Sequence, residues 1–236
     1  MSKLSVVMTA YNESHLTQEA VLNIINVCRD IDYELLIMDD CSTDDTYDVV
    51  TSMIPLWEWR IRYYQAPVNV WVTRAWNAWV ELSEWEYICV INNDVIFPDG
   101  FFERMIAWFK EWIMCVNPRF SEGNVNHPSP VMYFSNMLAG FCYMIKKEDR
   151  DKIFPIDTRL RIYGNDNWLH FKIRELGGKQ VVKHDAICHH LKSQTVFKVT
   201  NEDRPMYFQI CDENGWVVEE VYPLPTDDIK QDFIFN

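Results

Sequence analysis

Apolar runs and segments of helical spacing alternate along the first half of the chain. The apolar runs lack polar alternation, which is typical of strands buried on both faces, and they span Leu4–Met8, Tyr33–Met38 and Tyr87–Ile91. A shorter strand is predicted at Arg60–Gln65. Apolar positions at helical spacing predict the intervening and following helices at Leu16–Cys28, Thr46–Met53, Val70–Leu82 and Phe101–Ile113.

This alternation of strand and helix predicts an α/β fold with one doubly wound, mostly parallel sheet. Because crossovers between parallel strands are right-handed, the carboxyl ends of these strands lie along one edge of the sheet. The residues that follow the strands are therefore expected to converge there, and they are Tyr11, Asp39, Asp40 and the triplet Asn92–Asp94.

The triplet Asn92-Asn93-Asp94 carries candidate metal chemistry. One carboxylate flanked by two amides suits a hard divalent cation that keeps some waters and takes other ligands from a substrate phosphate. The alternative is a polar exit from the strand, in which Asn and Asp only form a turn. The triplet alone does not separate these two interpretations.

The second half of the chain is less regular. Its predicted elements are a loop at 120–130, an apolar strand at Asn136–Ile145 broken at Ala139-Gly140, a helix at Lys146–Ile153, a turn at Tyr163–Asp166, a helix at Trp168–Leu176 and a strand at Gln180–His184.

Charge and cysteine content narrow the possible partners. The 236 residues include 22 basic and 35 acidic side chains, for a formal net charge of −13. Such an acidic surface repels nucleic acid and anionic lipid, so neither is an expected partner. Seven cysteines without C-x-x-C spacing predict reduced thiols in a cytoplasmic protein, and we expect neither a signal peptide nor a transmembrane segment.

Seven segments in chain order make the sequence similar to the family 2 glycosyltransferases, which have the GT-A fold. They are SVVMTAYNES, ELLIMDDCSTDDT, NVWVTRAWNAW, YICVINNDVIFPDGF, LAGFCYMIKKE, YGNDNWLHFKIRELGGK and HHLKSQT. The resemblance covers Leu4 to about Trp216 and implies one GT-A domain with a small antiparallel addition to the sheet. Residues 1–115 would form a nucleotide-binding half, 116–200 an acceptor and catalytic half, and 201–236 a C-terminal tail packing on the domain.

The resemblance implies that the first two strand exits hold the pyrimidine base of a UDP- or dTDP-linked donor. Thr9 and Tyr11 would line the base pocket, Tyr11 by stacking, and Asp39 would accept a base N–H. Asn92 would lie near the ribose, with Asn93 beside it. The alternatives are that Tyr11 only covers the sheet end and that Asp39 and Asp40 cap the next helix, although one of the two can cap while the other binds.

The same resemblance implies a divalent metal, Mn²⁺ or Mg²⁺. Asp94 occupies the metal-binding position of the family's D-x-D motif, but the first acid of that motif is an amide here, so the donor diphosphate would supply most of the ligands. His190 matches a family histidine in the spacing H-x-x-S-x-T, with Ser193 and Thr195, and would be a second ligand or a donor to the phosphates. His189 is the alternative ligand.

Asp166 matches the family's catalytic carboxylate. Inverting sugar transfer needs a base that takes the proton of the acceptor hydroxyl, and a carboxylate at a helix N-terminus would stay ionised near pH 7. The acid that usually precedes this residue is Asn165 here. The alternative is that Asp166 only caps the helix.

Three further positions follow from the resemblance. Arg74 would reach the diphosphate or pair with surface acids, in a segment where two family glycines are replaced by Trp71 and Trp79. Gly140 would leave room for an acceptor sugar. Trp168 would stack on an acceptor ring or pack in the core.

These features predict a metal-dependent inverting glycosyltransferase that moves a sugar from a UDP- or dTDP-linked donor to a hydroxyl of a saccharide or glycoconjugate. The alternative is a non-catalytic nucleotide-sugar or glycan-binding module, suggested by the amide in the D-x-D motif and the tryptophans in place of glycines. A sugar-nucleotide pyrophosphorylase ranks low, because its phosphate loop needs glycine and basic residues that TAYNES lacks. The enzyme hypothesis requires Asp94 and Asp166 to border one pocket.

Overall fold

The computed structural model describes residues 3–57, 60–120, 132–134, 138–191 and 196–217. The predicted loop at 120–130 therefore lies almost wholly outside the described residues, as do Ser193 and Thr195. The helices and strands are β1 (Lys3–Ala10), α1 (Ser14–Val27), β2 (Asp32–Asp39), α2 (Thr46–Trp57), β3 (Ile61–Gln65), α3 (Val72–Leu82), β4 (Tyr87–Asn92), β5 (Val95–Ile96), α4 (Phe101–Ile106), β6 (Ile113–Phe120), β7 (Met132–Phe134), β8 (Cys142–Lys146), α5 (Lys147–Ile153), α6 (Asn165–Glu175), β9 (Lys179–His190) and α7 (Val196–Asn214).

The described strands form one mixed sheet in the order β3-β2-β1-β4-β8-β6-β9-β5, with β7 also paired to β9. Strands β3, β2, β1 and β4 are parallel, whereas β8 runs antiparallel to both of its neighbours. Strand β6 is parallel to β9, and the short β5 and β7 are antiparallel to it. The predicted α/β fold with a small antiparallel addition is confirmed.

Helices cover both faces of the sheet, so its central strands are buried on each side. Helices α1, α2 and α4 pack on one face, around Leu4, Val6 and Met8 of β1. Helices α3, α5, α6 and α7 pack on the other face, around Val7 and the strand β8. This double burial explains why the strands of the first half show no polar alternation.

Several elements differ from the prediction, among them the strand predicted at Asn136–Ile145, which is β8 at Cys142–Lys146. Helix α4 ends at Ile106, because Ile113 belongs to β6 and pairs with Lys179; continuous apolar sequence does not separate a helix from the strand after it. Strand β9 continues to His190 instead of ending at His184. The segment predicted as a tail begins with the helix α7.

Helix α7 was hidden by its polar composition and by Pro205. In the part of α7 whose side chains the structure describes, Tyr207, Ile210 and Cys211 are buried against the sheet. None of the described helices combines the length and the apolar character needed to cross a bilayer.

Candidate active site

Asp39 ends β2 and is fully buried at the carboxyl edge of the sheet. Its Oδ1 accepts a hydrogen bond from the Ser42 backbone amide at 2.7 Å, and its Oδ2 accepts from the Tyr63 hydroxyl at 2.5 Å and from Gln65 Nε2 at 3.1 Å. A carboxylate accepts about four hydrogen bonds. Protein donors thus fix the orientation of Asp39 and leave about one acceptor position for a ligand.

Asp40 organises the loop that leads into α3. Its Oδ1 and Oδ2 accept hydrogen bonds from the backbone amides of Val70, at 2.5 Å, and Trp71, at 3.0 Å. Burial raises the pKa of Asp40, while these two hydrogen bonds oppose the increase. Trp71 has φ 71° and ψ 156°, a backbone region that favours glycine. The sequence signal for this conformation was the tryptophan at a family glycine position.

The exits of β1 and β2 are joined by hydrogen bonds of Asn12. Its backbone amide donates to Ser42 Oγ at 2.7 Å, and its Oδ1 accepts from the Thr43 amide at 2.8 Å. Thr9 is buried, and its Oγ1 has no hydrogen-bond partner among the described residues. Tyr11 is 45% exposed, so its ring is accessible at the edge where the base was predicted.

The two asparagines of the triplet differ in their partners. Asn92 lies opposite Thr9 in the β1–β4 register, and its backbone amide donates to the Phe141 carbonyl at 3.0 Å. Asn93 Nδ2 donates to the Asn12 carbonyl at 3.2 Å and to Thr17 Oγ1 at 2.8 Å. Asn93 therefore ties the end of β4 to the start of α1.

Asp94 and His190 form a pair next to this exit. His190 Nε2 lies 3.1 Å from Asp94 Oδ2, and each side chain is 13% exposed. The His190 ring stacks on Phe141, with centroids 4.8 Å apart and an angle of 17° between the planes. His189, by contrast, is exposed and pairs with Ile96. The structure brings together Asp94 and His190, the two residues that were predicted as ligands.

The chemistry of this pair fits a divalent ion. Asp94 Oδ1 is buried and has no hydrogen-bond partner among the described residues; a carboxylate suits both Mn²⁺ and Mg²⁺, whereas an imidazole suits transition metals better than Mg²⁺. Across the described parts of the chain, no group of three or more His, Cys, Asp or Glu residues gathers as a metal site. The protein would thus supply about two ligands, and the remainder would come from diphosphate and water.

Asp166 lies in the first turn of α6. Gly164, with φ 82°, caps the helix, and Asp166 Oδ1 accepts from the Asn167 amide at 2.9 Å. Burial raises the pKa of Asp166 to about 6, against the opposing effect of hydrogen bonds from the amides of Asn167 and Gly140. The sequence argument expected only the stabilising helix N-terminus. A pKa near the working pH is what a general base needs.

Gly140 allows this close approach. A Cβ atom placed on Gly140 would lie 3.2 Å from Asp166 Oδ2, so a larger side chain would press on the carboxylate. The next residue, Phe141, carries the ring that stacks on His190. Two consecutive residues therefore connect Asp166 with the Asp94–His190 pair.

The two remaining predicted residues have other surroundings. Arg74 is exposed on α3, and no ion pair joins it to an acid within the described part of the chain. Trp168 packs edge to face against Trp216, with ring centroids 5.1 Å apart, and Lys172 Nζ lies 5.4 Å from its ring centre. These contacts favour the packing interpretation of Trp168.

Comparison with known proteins shows which family the chain resembles. The model of glycosyl transferase family 2 matches residues 5–168. An uncharacterized glycosyltransferase of Haemophilus influenzae is 24% identical over 106 residues, which are 45% of this chain and 42% of that protein. Protein CgeD of Bacillus subtilis is 27% identical over an alignment of 114 positions that covers 45% of this chain and 26% of CgeD. The matched part is less than half of either relative.

Two solved structures share the fold. GalNAc-T7 with UDP, GalNAc and Mn²⁺ aligns with a TM-score of 0.77 at 15% identity, covering 90% of this chain and 48% of the other. The mannosyltransferase PcManGT from Pyrobaculum calidifontis, in complex with GDP-Man and Mn²⁺, aligns with a TM-score of 0.69 at 17% identity, covering 87% and 61%. These likenesses confirm the GT-A fold.

Proposed function

Because the chain belongs to glycosyltransferase family 2, we propose that it transfers a sugar from a nucleotide diphosphate donor to a hydroxyl of a saccharide or glycoconjugate, with inversion at the anomeric carbon. One observation carries this proposal. The segment Gly140-Phe141 touches the base candidate Asp166 on one side and the Asp94–His190 pair on the other. A donor diphosphate and an acceptor hydroxyl would meet beside this segment.

In the proposed reaction, the acceptor oxygen attacks the anomeric carbon as the bond from that carbon to the diphosphate oxygen breaks. The proton of the hydroxyl passes to the Asp166 carboxylate. Gly140 and Asn167 hold that carboxylate through their backbone amides, and its burial makes it a stronger base than an exposed aspartate.

Asp94 and His190 would hold a divalent ion against the donor diphosphate. Mn²⁺ or Mg²⁺ bound there would neutralise the charge that develops on the departing diphosphate. The two structural neighbours were each solved with Mn²⁺, which supports a divalent cofactor for this chain. The unpartnered Asp94 Oδ1 supports the same assignment.

The nucleotide would lie over the ends of β1, β2 and β4. We assign base stacking to Tyr11, a base N–H contact to Asp39 and the pocket wall to Thr9, with Asn92 near the ribose and Arg74 as the residue that approaches the phosphates from α3. The donors of the two neighbours carry different bases, UDP in one and GDP in the other. We retain a UDP- or dTDP-linked sugar as the proposed donor.

The direct test measures nucleotide diphosphate release and product formation across UDP-, dTDP- and GDP-linked sugars, with Mn²⁺, with Mg²⁺ and with EDTA. We expect turnover with a UDP- or dTDP-sugar that stops when EDTA is added. A binding module without catalysis would instead titrate with UDP or dTDP in calorimetry and release no diphosphate from any donor. Turnover unaffected by EDTA would remove the metal from the proposal.

We also propose that the protein works in the cytoplasm. All seven cysteines are unpaired in the structure, and six of them are buried. Reduced thiols at this number suit a reducing compartment.

A further inference from the structure

Helix α7 follows the region that the family model matches, yet it contacts the loop that carries Asp166. Asp203 on this helix is 3% exposed, and its carboxylate gathers donors from that loop. Oδ1 accepts from Arg161 Nε at 2.6 Å, and Oδ2 accepts from the backbone amides of Ile162 at 3.1 Å and Tyr163 at 3.5 Å.

One helical turn further along α7, Tyr207 packs on the same loop. A Cβ atom on Gly164 would lie 2.4 Å from Tyr207 Cδ2, so the ring sits directly against the residue that starts α6. The Tyr207 ring also meets the Tyr163 ring edge to face, with centroids 5.4 Å apart. Asp203 and Tyr207 together restrain four consecutive residues, from Arg161 to Gly164, which are followed by Asn165 and then Asp166.

Arg161 joins this loop to the other half of the site. Its guanidinium lies over the Trp71 ring, with Cζ 4.8 Å from the centroid, and its carbonyl accepts from the Thr73 amide at 3.2 Å. Trp71 is itself fixed by the carboxylate of Asp40. A chain of direct contacts thus runs from Asp203 through Arg161 and Trp71 to the exit of β2.

We propose that Asp203 is a positioning residue for Asp166: through Arg161 and the amides of Ile162 and Tyr163 it sets where the base stands relative to the donor side of the pocket. This inference rests on the proposed function, because it gives α7 a role in the same reaction. A displacement of about 1 Å in such a group costs about 100-fold in rate. Asp203 touches neither reactant in this scheme and acts only through the loop.

The groups that face Asp166 make its titration a usable reporter. They are the phenols of Tyr143 on β8, Tyr163 on the loop and Tyr207 on α7, and burial raises the pKa of each, so all three stay neutral across the working range. The other contacts are backbone amides. A change in the pKa of Asp166 therefore reports chiefly how tightly the loop encloses it.

The experiment compares Asp203→Asn and Arg161→Lys with wild type and with the exposed control Asp212→Asn on the same helix. In Asp203→Asn we expect kcat about 10- to 100-fold lower, the donor KM within about twofold of wild type, and faster amide exchange at residues 161–166. The Asp166 pKa, measured by carboxyl NMR and by the acid limb of kcat, falls from about 6 toward its ordinary value, because a loosened loop admits water.

Arg161→Lys separates positioning from a direct effect of charge. Lysine keeps the positive charge but lacks the planar guanidinium that holds Asp203 and covers Trp71. Positioning predicts a lower Asp166 pKa, faster loop exchange and a several-fold lower kcat. An effect of charge alone predicts no change in any of these, and that result would overturn the inference. If Asp203→Asn does not fold, the measurements on Arg161→Lys alone test the positioning role.

Failure of the proposed function and failure of the role of Asp203 would give different results. Wild-type protein inactive on every donor would refute the transferase proposal, but the NMR titration and the amide exchange would still decide whether α7 sets the environment of Asp166. Wild-type exchange and titration in both folded variants would refute the role of Asp203, whatever the activity of the enzyme.

Discussion

The donor-side edge of the sheet and the loop that carries Asp166 fix their chemical groups in different ways. At the donor side, each polar residue stands at the end of a parallel strand, and the neighbouring strand exits hold it: Asp39 by Tyr63 and Gln65, Asp40 by Val70 and Trp71. Asp166 stands in the first turn of α6; it contacts Gly140 just before β8, and the loop before α6 is restrained by α7, far away in the chain. The order and direction of the strands place Asp39 and Asp40, whereas packing between segments distant in the sequence places Asp166.

The electrostatic consequence also differs. Hydrogen bonds from Ser42, Tyr63 and Gln65 offset the cost of burying the Asp39 carboxylate. They also fix its orientation before a ligand binds. Among the described residues, backbone amides offset the burial of Asp166, and its pKa rises to about 6. Under the proposed function, the donor side would serve binding and Asp166 would serve proton transfer. The measurements below test this contrast.

Asp166→Asn has the largest expected effect. An amide cannot accept the acceptor proton, so we expect transfer to fall by about 10²–10⁴-fold while nucleotide binding in calorimetry is unchanged. The raised pKa adds a second expectation. The folded state disfavours the charged carboxylate, so the variant should melt at a higher temperature than wild type at pH 7.5, and this difference should shrink as the pH falls below about 6.

The control for that variant is Asp212→Asn, which removes an exposed carboxylate and should leave both rate and melting temperature unchanged. Transfer at the wild-type rate in Asp166→Asn would take the base role away from this residue.

Asp94→Asn tests the donor side. It removes the one carboxylate of the triplet, so we expect activity to fall by about 100-fold and the Mn²⁺-dependent rise in melting temperature with nucleotide to disappear. Asp99→Asn, a nearby exposed carboxylate, is the matched control and should keep both properties. A Mn²⁺ response that survives in Asp94→Asn would move the metal elsewhere.

Gly164→Ala tests the packing of α7 on the loop of residues 161–164. An alanine there meets Tyr207 and also adopts a positive φ, so we expect a loss of about 2–4 kcal/mol in the free energy of unfolding by urea. Gly177→Ala has a similar φ of 70° with open space around the added methyl group, and we expect it to lose only about 1 kcal/mol. Equal losses in the two variants would mean that Tyr207 does not restrain the loop.

The pH dependence of transfer provides a further test. Because Asp166 must be ionised to accept a proton and its pKa is about 6, kcat should be level above that value and fall about tenfold per pH unit below it. A steady-state pH profile between pH 4.5 and pH 8 would show the bend. A bend near pH 4 would indicate that the carboxylate is solvated during turnover.

Trp71 gives the smallest expected effect. Trp71→Ala loses the stacking with Arg161 but keeps the positive φ, while Trp71→Gly loses the stacking and relieves the backbone. We expect Trp71→Gly to be more stable than Trp71→Ala by about 1 kcal/mol in urea unfolding. The reverse order would mean that the loop changes its conformation when the ring is removed.

Much of the donor side could be predicted from the sequence because local rules place it. From the buried apolar strands, the right-handed crossovers and the polar strand exits, the sequence predicts that Asp39, Asn92 and Asp94 lie at one edge of the sheet. In the structure β2, β1 and β4 are adjacent and parallel, so their carboxyl ends do lie at one edge. The pairing of His190 with Asp94 came only from the resemblance. The extension of β9 that makes it possible has no signal in the sequence, since the predicted strand ended at His184.

The surroundings of Asp166 were harder to predict, because they depend on packing between segments that are distant in the sequence. Asp166 and Gly140 could be identified from the resemblance, but the raised pKa depends on how closely two distant segments approach. Asp203 and Arg161 gave no signal, because an acid and a base 42 residues apart have no local pattern. The role of Asp40 was also missed, since its partners are backbone amides.

Gly140 and Phe141 have a consequence for anyone who wishes to redesign acceptor choice. Enlarging Gly140 looks like a simple way to select a different alcohol. Yet its backbone contacts Asp166, the proposed base, and the ring of Phe141 contacts His190, the proposed metal ligand, so a change made for one substrate would disturb the handling of the other. Selectivity is better sought in surfaces that meet only the incoming sugar.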